Sequence, residues 1–308
     1  MRNRPNRGKR LIRLLVLVLG AGAVMYILIN HFLFHNSFQG PTFNLSLIKD
    51  DQSKANSLKE IVQNALVGTK GSYGIVIKNL KTGEYYYANE HAVYQSGSLY
   101  KLWVMAAAFA QIQGGELKES EVLSEDVRVL NDKFNISSDS AELSDGTITL
   151  TVSSALEKMI TISHNYDALL LAERLQLSYL ADFLRQNGFQ ESKIGTSGEA
   201  PTSSAYDMAL FFEKLYKGEL TNQEYTNRML DLLKAQQLND KFPKYLPEET
   251  IIAHKTGELD AFTHDAGIIF TPKGDYIIVI LSASDTPSAA EERIAQLSKD
   301  VYDFFQNK

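Results

Sequence analysis

Ser98 and Lys101 stand three residues apart in YQSGSLYKLW, and the run LYKLWVMAAAFAQI after Ser98 is apolar nearly all round. Such a run belongs inside a protein as a buried helix. Residues three apart on a helix share a face, so the spacing predicts that the Ser98 hydroxyl meets the Lys101 amine in the first turn. Burial disfavours the charged form of a lysine. A neutral amine beside a hydroxyl can take its proton and make the serine a nucleophile. The free N–H groups of the same turn can receive a developing oxyanion. A second Ser-x-x-Lys, Ser46 with Lys49, lies in a polar stretch without this context.

Two later stretches supply partners. In MITISHNYDALLLAERL, Ser163, His164 and Asn165 lie at the junction of two apolar helical segments. A second hydroxyl there could relay a proton to a leaving nitrogen, and an amide could hold a substrate carbonyl and the lysine. Ser and Asn also start helices routinely, so capping is the competing reading. In IIAHKTGELDAFTHDAGIIF, Lys255, Thr256 and Gly257 open a late strand. An edge strand docks an extended acyl substrate by backbone hydrogen bonds, and the Lys and Thr side chains can hold its carboxylate. The other Lys-Thr-Gly, at 81–83, sits in a polar hairpin and reads as a turn.

The ordered set Ser98…Lys101, Ser163…Asn165, Lys255…Gly257 resembles the penicillin-recognising serine enzymes, the class A β-lactamases and penicillin-binding D,D-peptidases. The likeness covers roughly residues 54–308 and is nearest to class A β-lactamases. It extends to APTSSAYDMALFFEKL and GIIFTPKGDYIIVILS. It implies that Ser98 is the acylated nucleophile and Lys101 its general base or part of the proton network. It implies further that Ser163 shuttles the proton, that Asn165 contacts substrate, and that Lys255 and Thr256 bind the substrate carboxylate. The backbone N–H groups of Ser98 and Glu258 would form the oxyanion hole, each worth about 3 kcal/mol. β-Lactams or cell-wall peptides would be the substrates.

The chain also departs from the family. His164 stands where class A enzymes usually have Asp between the Ser and Asn. The Glu-x-x-Leu-Asn segment whose Glu activates the hydrolytic water is missing from GFQESKIGTSGEAPTSS (188–204). Glu199, and after it Glu191, are the acids left to replace it. The basic residue that follows the Lys-Thr-Gly strand is absent, with Thr263 and His264 near its place. His264 reads first as a structural strand histidine. Acylation is therefore expected more firmly than turnover, so a D,D-peptidase or a once-acylated penicillin sensor stands beside the β-lactamase reading.

The elements that must position these residues follow an order. KANSLKEIVQNALVG (54–68) has helical apolar spacing, and SYGIVIKNL and EYYYAN read as a hairpin turned at Gly83. A long, mostly helical middle covers 152–162, 166–175, 177–187, 204–217 and 223–237. Strands near 262–271 and 275–284 and a helix over 288–306 close the chain. This is an α+β pattern. We expect an antiparallel sheet covered by the N- and C-terminal helices, with an all-helical subdomain as in serine β-lactamases and D,D-peptidases.

The 308 residues carry a net charge of −6, with 37 acids against 31 bases, so nothing suggests a nucleic-acid partner. The chain has no cysteine, which excludes disulfides, thiolate metal sites and a Cys nucleophile. Its six histidines are scattered, and no metal site or cofactor is expected. A basic tail (1–13) precedes an uncharged apolar run from Leu14, extended to Phe34, long enough for one transmembrane helix. The charge placement predicts a cytoplasmic tail and a single-pass anchor in the cell membrane, with the catalytic domain (54–308) extracytoplasmic beyond a linker at 35–53; a cleaved signal peptide is the rival reading.

Overall fold

The computed structural model describes residues 51–196 and 198–307. The expected tail, anchor and most of the linker lie outside the described residues. Among the described residues, no helix is long and apolar enough to cross a membrane.

Helix α1 (Asp51–Leu66) leads into β1 (Ser72–Asn79) and β2 (Tyr85–Ala88). These join β7 (Ile251–Leu259), β8 (Phe262–Phe270) and β9 (Tyr276–Ala283) in one sheet ordered β2-β1-β9-β8-β7. Its pairs are antiparallel. The turn at 81–83 is held by Asn79, whose side-chain oxygen accepts from the N–H groups of Lys81 and Thr82. Successive residues of a strand point to opposite faces, and the sheet uses both. Ile75, Ile77, Ile278 and Ile280 face α1 and the C-terminal helix α9 (Pro287–Gln306), meeting Leu58, Val62, Ile294, Leu297 and Val301. Val76, Val279, Leu281 and Ala266 belong to the second core, with the remaining helices.

At the centre of that second core is α2 (Lys101–Gly114), buried almost all round. Around it lie α4 (Val152–Thr161), α5 (Asn165–Leu175), α6 (Leu177–Gln186) and α8 (Gln223–Lys234), while α7 (Ala205–Lys217) packs on the sheet and α3 (Val127–Lys133) lies beside α5. The expected sheet, its covering helices and the helical middle are all present. The subdomain is not all-helical, however. β4 (Val122–Asp126) pairs with β5 (Thr147–Thr151), and β3 (Val93–Gln95) pairs with β6 (Thr202–Ser204). These strands are three to five residues long. Pieces that short give too few alternations to outweigh the helical runs around them.

Candidate active site

Ser98 lies not in α2 but in a 3₁₀ turn, Gly97–Tyr100, directly before it. The turn is pressed against the edge strand β7. Gly97 has φ +48°, and a Cβ there would come within 2.6 Å of Glu258 N. A Cβ at Gly257 would come within 2.6 Å of Ser96 O and 2.9 Å of Leu99 Cγ. Two glycines thus let the Ser98 turn and the Lys-Thr-Gly strand touch.

The segment leading into the turn is fastened from two sides. Ser96 N–H donates to Pro201 O at 2.8 Å. His264 Nδ1 accepts from Ser282 N–H at 3.1 Å, so its Nε2–H donates to Gln95 O at 2.7 Å. His264 is fully buried, and burial pushes its pKa down to about 4. It is a neutral structural histidine that ties β8 and β9 to the strand leading into the Ser98 turn.

Lys101 is the first residue of α2 and has no exposed surface. Its Nζ donates to Ser163 O at 2.5 Å, Asn165 Oδ1 at 2.6 Å and Ser163 Oγ at 3.2 Å. The hydrogen bond to Ser98 that the spacing predicts is not formed among the described residues. The α-helix begins only at Lys101, and the lysine amine is drawn instead to Ser163 and Asn165. Burial, and then the charge of Lys255, hold Lys101 well below the ordinary lysine range, while Glu142 and Asp167 pull the other way. A neutral Lys101 has two N–H groups for three acceptors, and Ser163 Oγ–H is the partner that can donate to its lone pair.

Ser163 links α4 to α5 at φ +59°, in the left-handed region that a non-glycine residue rarely adopts. Such strain persists when the surroundings enforce it, and functional sites are where it collects. The N-cap of α5 is neither Ser163 nor Asn165 but His164, whose Nδ1 accepts from Asp167 N–H at 3.3 Å and lies 3.1 Å from Asp167 Oδ1. With the capping done by His164, the flanking hydroxyl and amide are left to the site.

Lys255 is fully buried in β7 and donates to Ser163 Oγ at 2.9 Å and Thr256 O at 3.0 Å. Burial lowers its pKa to about 7, the neighbouring Lys241 adds to this, and Asp265 and Glu258 oppose it. Thr256 is buried beside it. Ser98, Lys101, Ser163, Asn165, Lys255, Thr256, Gly257 and Glu258 are therefore gathered where the Ser98 turn, α2, the α4–α5 junction and β7 meet.

The two loop acids are not gathered in the same way. Glu191 is engaged elsewhere, accepting from Ser204 Oγ and lying 2.8 Å from His91 Nδ1. Glu199 is exposed on a loop and lines a cavity of about 540 Å³ with Tyr100, Asn135, Pro201 and Leu259. Two residues that the motifs do not mark also reach the site. Glu142 accepts from Asn165 Nδ2, and Lys241, on the α8–β7 connection, donates to Glu258 Oε1 at 2.5 Å. Neither stands in a motif or a periodic apolar pattern, so the sequence gives no signal for them. Among the described residues, no group of three His, Asp or Glu side chains could hold a metal ion.

The model of the beta-lactamase enzyme family matches residues 56–305. The chain is 22% identical over 279 residues to Beta-lactamase VEB-1 from Pseudomonas aeruginosa, an alignment covering 83% of this chain and 93% of that protein. The fold is similar to that of a beta-lactamase from Sphaerobacter thermophilus DSM 20745, with a TM-score of 0.71 and 23% identity over 82% of this chain and 98% of that one. It is equally similar to PBP-A, with a TM-score of 0.71 and 22% identity over 82% of this chain and 97% of that one. With its length matched from residue 56 to residue 305 and its serine, lysines and amide gathered at one sheet edge, the chain belongs to the beta-lactamase enzyme family and is a serine β-lactamase-like hydrolase.

Proposed function

We propose that the protein is a membrane-anchored, extracytoplasmic serine hydrolase that β-lactams acylate at Ser98, forming a slowly hydrolysed acyl-enzyme. The observation that carries this reading is the Ser163 hydroxyl, which both Lys101 Nζ and Lys255 Nζ address. Ser98 Oγ attacks the lactam carbonyl, and its proton passes to neutral Lys101. The N–H groups of Ser98 and Glu258 receive the oxyanion. The C–N bond breaks as the leaving nitrogen takes the proton of Ser163 Oγ, which Lys101 replaces. Lys255 and Thr256 hold the substrate carboxylate, and Asn165 holds a carbonyl of the acyl side chain.

Slow hydrolysis follows from the partners of Lys101, which among the described residues are a carbonyl, a hydroxyl and an amide, with no carboxylate. Among the described residues the carboxylate that reaches the site is Glu142, bonded to Asn165 rather than to Lys101, while Glu199 stands on its exposed loop. A mutant of PBP-A is known as an acyl-enzyme complex with penicillin G, which supports this reading. The same feature favours a second one, a D,D-peptidase acting on cell-wall peptides.

The test is intact-mass spectrometry of the full chain incubated with a fluorescent penicillin. We expect one adduct per chain, stable for hours and absent from Ser98→Ala. No adduct on the native protein would overturn the proposal. Loss of the adduct within seconds would overturn slow hydrolysis and send attention to Glu199.

A further inference from the structure

Lys241 and Glu258 are an unequal pair. The lysine side chain is 2% exposed, while the glutamate it bonds is 61% exposed. A solvated carboxylate gives up such a contact at little cost, because water replaces the lost partner. The lysine has no such replacement. A buried ammonium without an anion is strongly disfavoured, and among the described residues Glu258 is the one carboxylate bonded to Lys241. The pair is thus built to exchange its anion rather than to lose it.

Its position says which anion. Glu258 follows Lys255, Thr256 and Gly257, and its backbone touches the nucleophile turn at Gly97. Thr256 and Glu258, two apart on β7, leave the same side of the strand. Lys241 reaches that side, and its charge is felt at both Lys255 and His264. The Lys241 ammonium therefore borders the place assigned above to the substrate carboxylate. There it supplies a positive charge that no motif announces.

We propose that Glu258 holds Lys241 as an internal stand-in for the substrate carboxylate, and that an anionic substrate displaces Glu258 and takes over Lys241. The inference deepens the reading given above and rests on its placement of the substrate. Glu258 then tunes specificity. It competes with every carboxylate-bearing ligand, and it leaves ligands whose carboxylate is masked unaffected.

The test uses the full chain carrying Ser98→Ala, so that equilibrium binding is measured whether or not Ser98 is the nucleophile. The probes are benzylpenicillin and its methyl ester, titrated by NMR. Adding Glu258→Gln is expected to tighten benzylpenicillin binding severalfold. Adding Lys241→Met should weaken it about tenfold or more, with Lys241→Arg retaining most of it. The methyl ester should bind all these variants alike. An unchanged or weakened affinity in Glu258→Gln, an equal effect on acid and ester, or no binding of the acid at millimolar concentration would each overturn the inference. Because Glu258→Gln alters an exposed side chain, it keeps the test decisive even if Lys241→Met fails to fold. Failure of the parent reading shows separately, as the absence of a Ser98 adduct on the native protein.

Discussion

Lys101 and Lys255 donate to the same atom, Ser163 Oγ, from α2 at 3.2 Å and from β7 at 2.9 Å. Both are buried, and among the described residues neither has a carboxylate as a hydrogen-bond partner. Two cations so close would repel, so the arrangement favours losing one of their protons, and burial pushes both pKa values down. The hydroxyl between them is placed to carry a proton in either direction.

Removing that hydroxyl tests the relay. Ser163→Ala is expected to slow acylation by about 10²-fold or more, the usual worth of a positioned acid–base group. Ser163→Gly should be equally slow, yet more stable than Ser163→Ala, because glycine accepts φ +59° without strain. Stopped-flow acylation and thermal melting separate the two effects.

Lys255 predicts a pH dependence. With its pKa lowered to about 7, it is charged below that pH and loses its proton above it. Acylation by carboxylate-bearing β-lactams should therefore decline as the pH rises through about 7. Lys255→Arg should move that decline upward, since a guanidinium stays charged. For stability the sign is opposite. A lysine whose folded pKa lies below its unfolded value binds fewer protons when folded, so stability should rise between about pH 7 and the ordinary lysine value of 10.5.

Gly97→Ala should be severe for so small a change. The new methyl would collide with the Glu258 backbone at 2.6–2.9 Å, on a residue already at positive φ. We expect a loss of about 1–3 kcal/mol in stability. A larger proportional loss in acylation rate should accompany it, because the Ser98 turn is pushed off β7. Melting curves and adduct formation on the same preparation would check this.

His264→Phe should destabilise without removing any group from the chemistry. It leaves Gln95 O and Ser282 N–H buried without their partner, at about 1–3 kcal/mol each. The native histidine also predicts acid sensitivity. Its folded pKa of about 4 lies below the ordinary 6.5, so the unfolded chain takes up the proton first. Stability should fall as the pH drops from about 6.5 to 4, by at most about 3 kcal/mol from this group. Chemical denaturation across that range, native against His264→Phe, measures the difference.

Much of this was legible in the residues. The helices of the middle and the ends announce themselves by apolar spacing, and the Ser-x-x-Lys, Ser-x-Asn and Lys-Thr-Gly motifs sit where the fold brings them together. What was not legible depends on contacts between segments far apart in sequence. The acceptors that take Lys101 away from Ser98 come from 62 and 64 residues further on. His264 reaches Gln95 across 169 residues. Lys241 and Glu142 stand in ordinary polar stretches whose partners only the folded chain reveals. The triplet His164 departs from the family's usual Asp, and the structure gives the replacement a use as the cap of α5.

The sheet ends at β7, and an end strand carries a row of N–H and C=O groups with no neighbouring strand. That row suits an extended substrate, and it suits equally well the matching strand of another molecule. The turn seated at Gly97 and the helix α8 alongside β7 cover parts of it. The part of the edge that they leave uncovered is a window open to an extended ligand. Loosening the Gly97 turn would lengthen that window, so variants that lose acylation this way should also be the ones that self-associate.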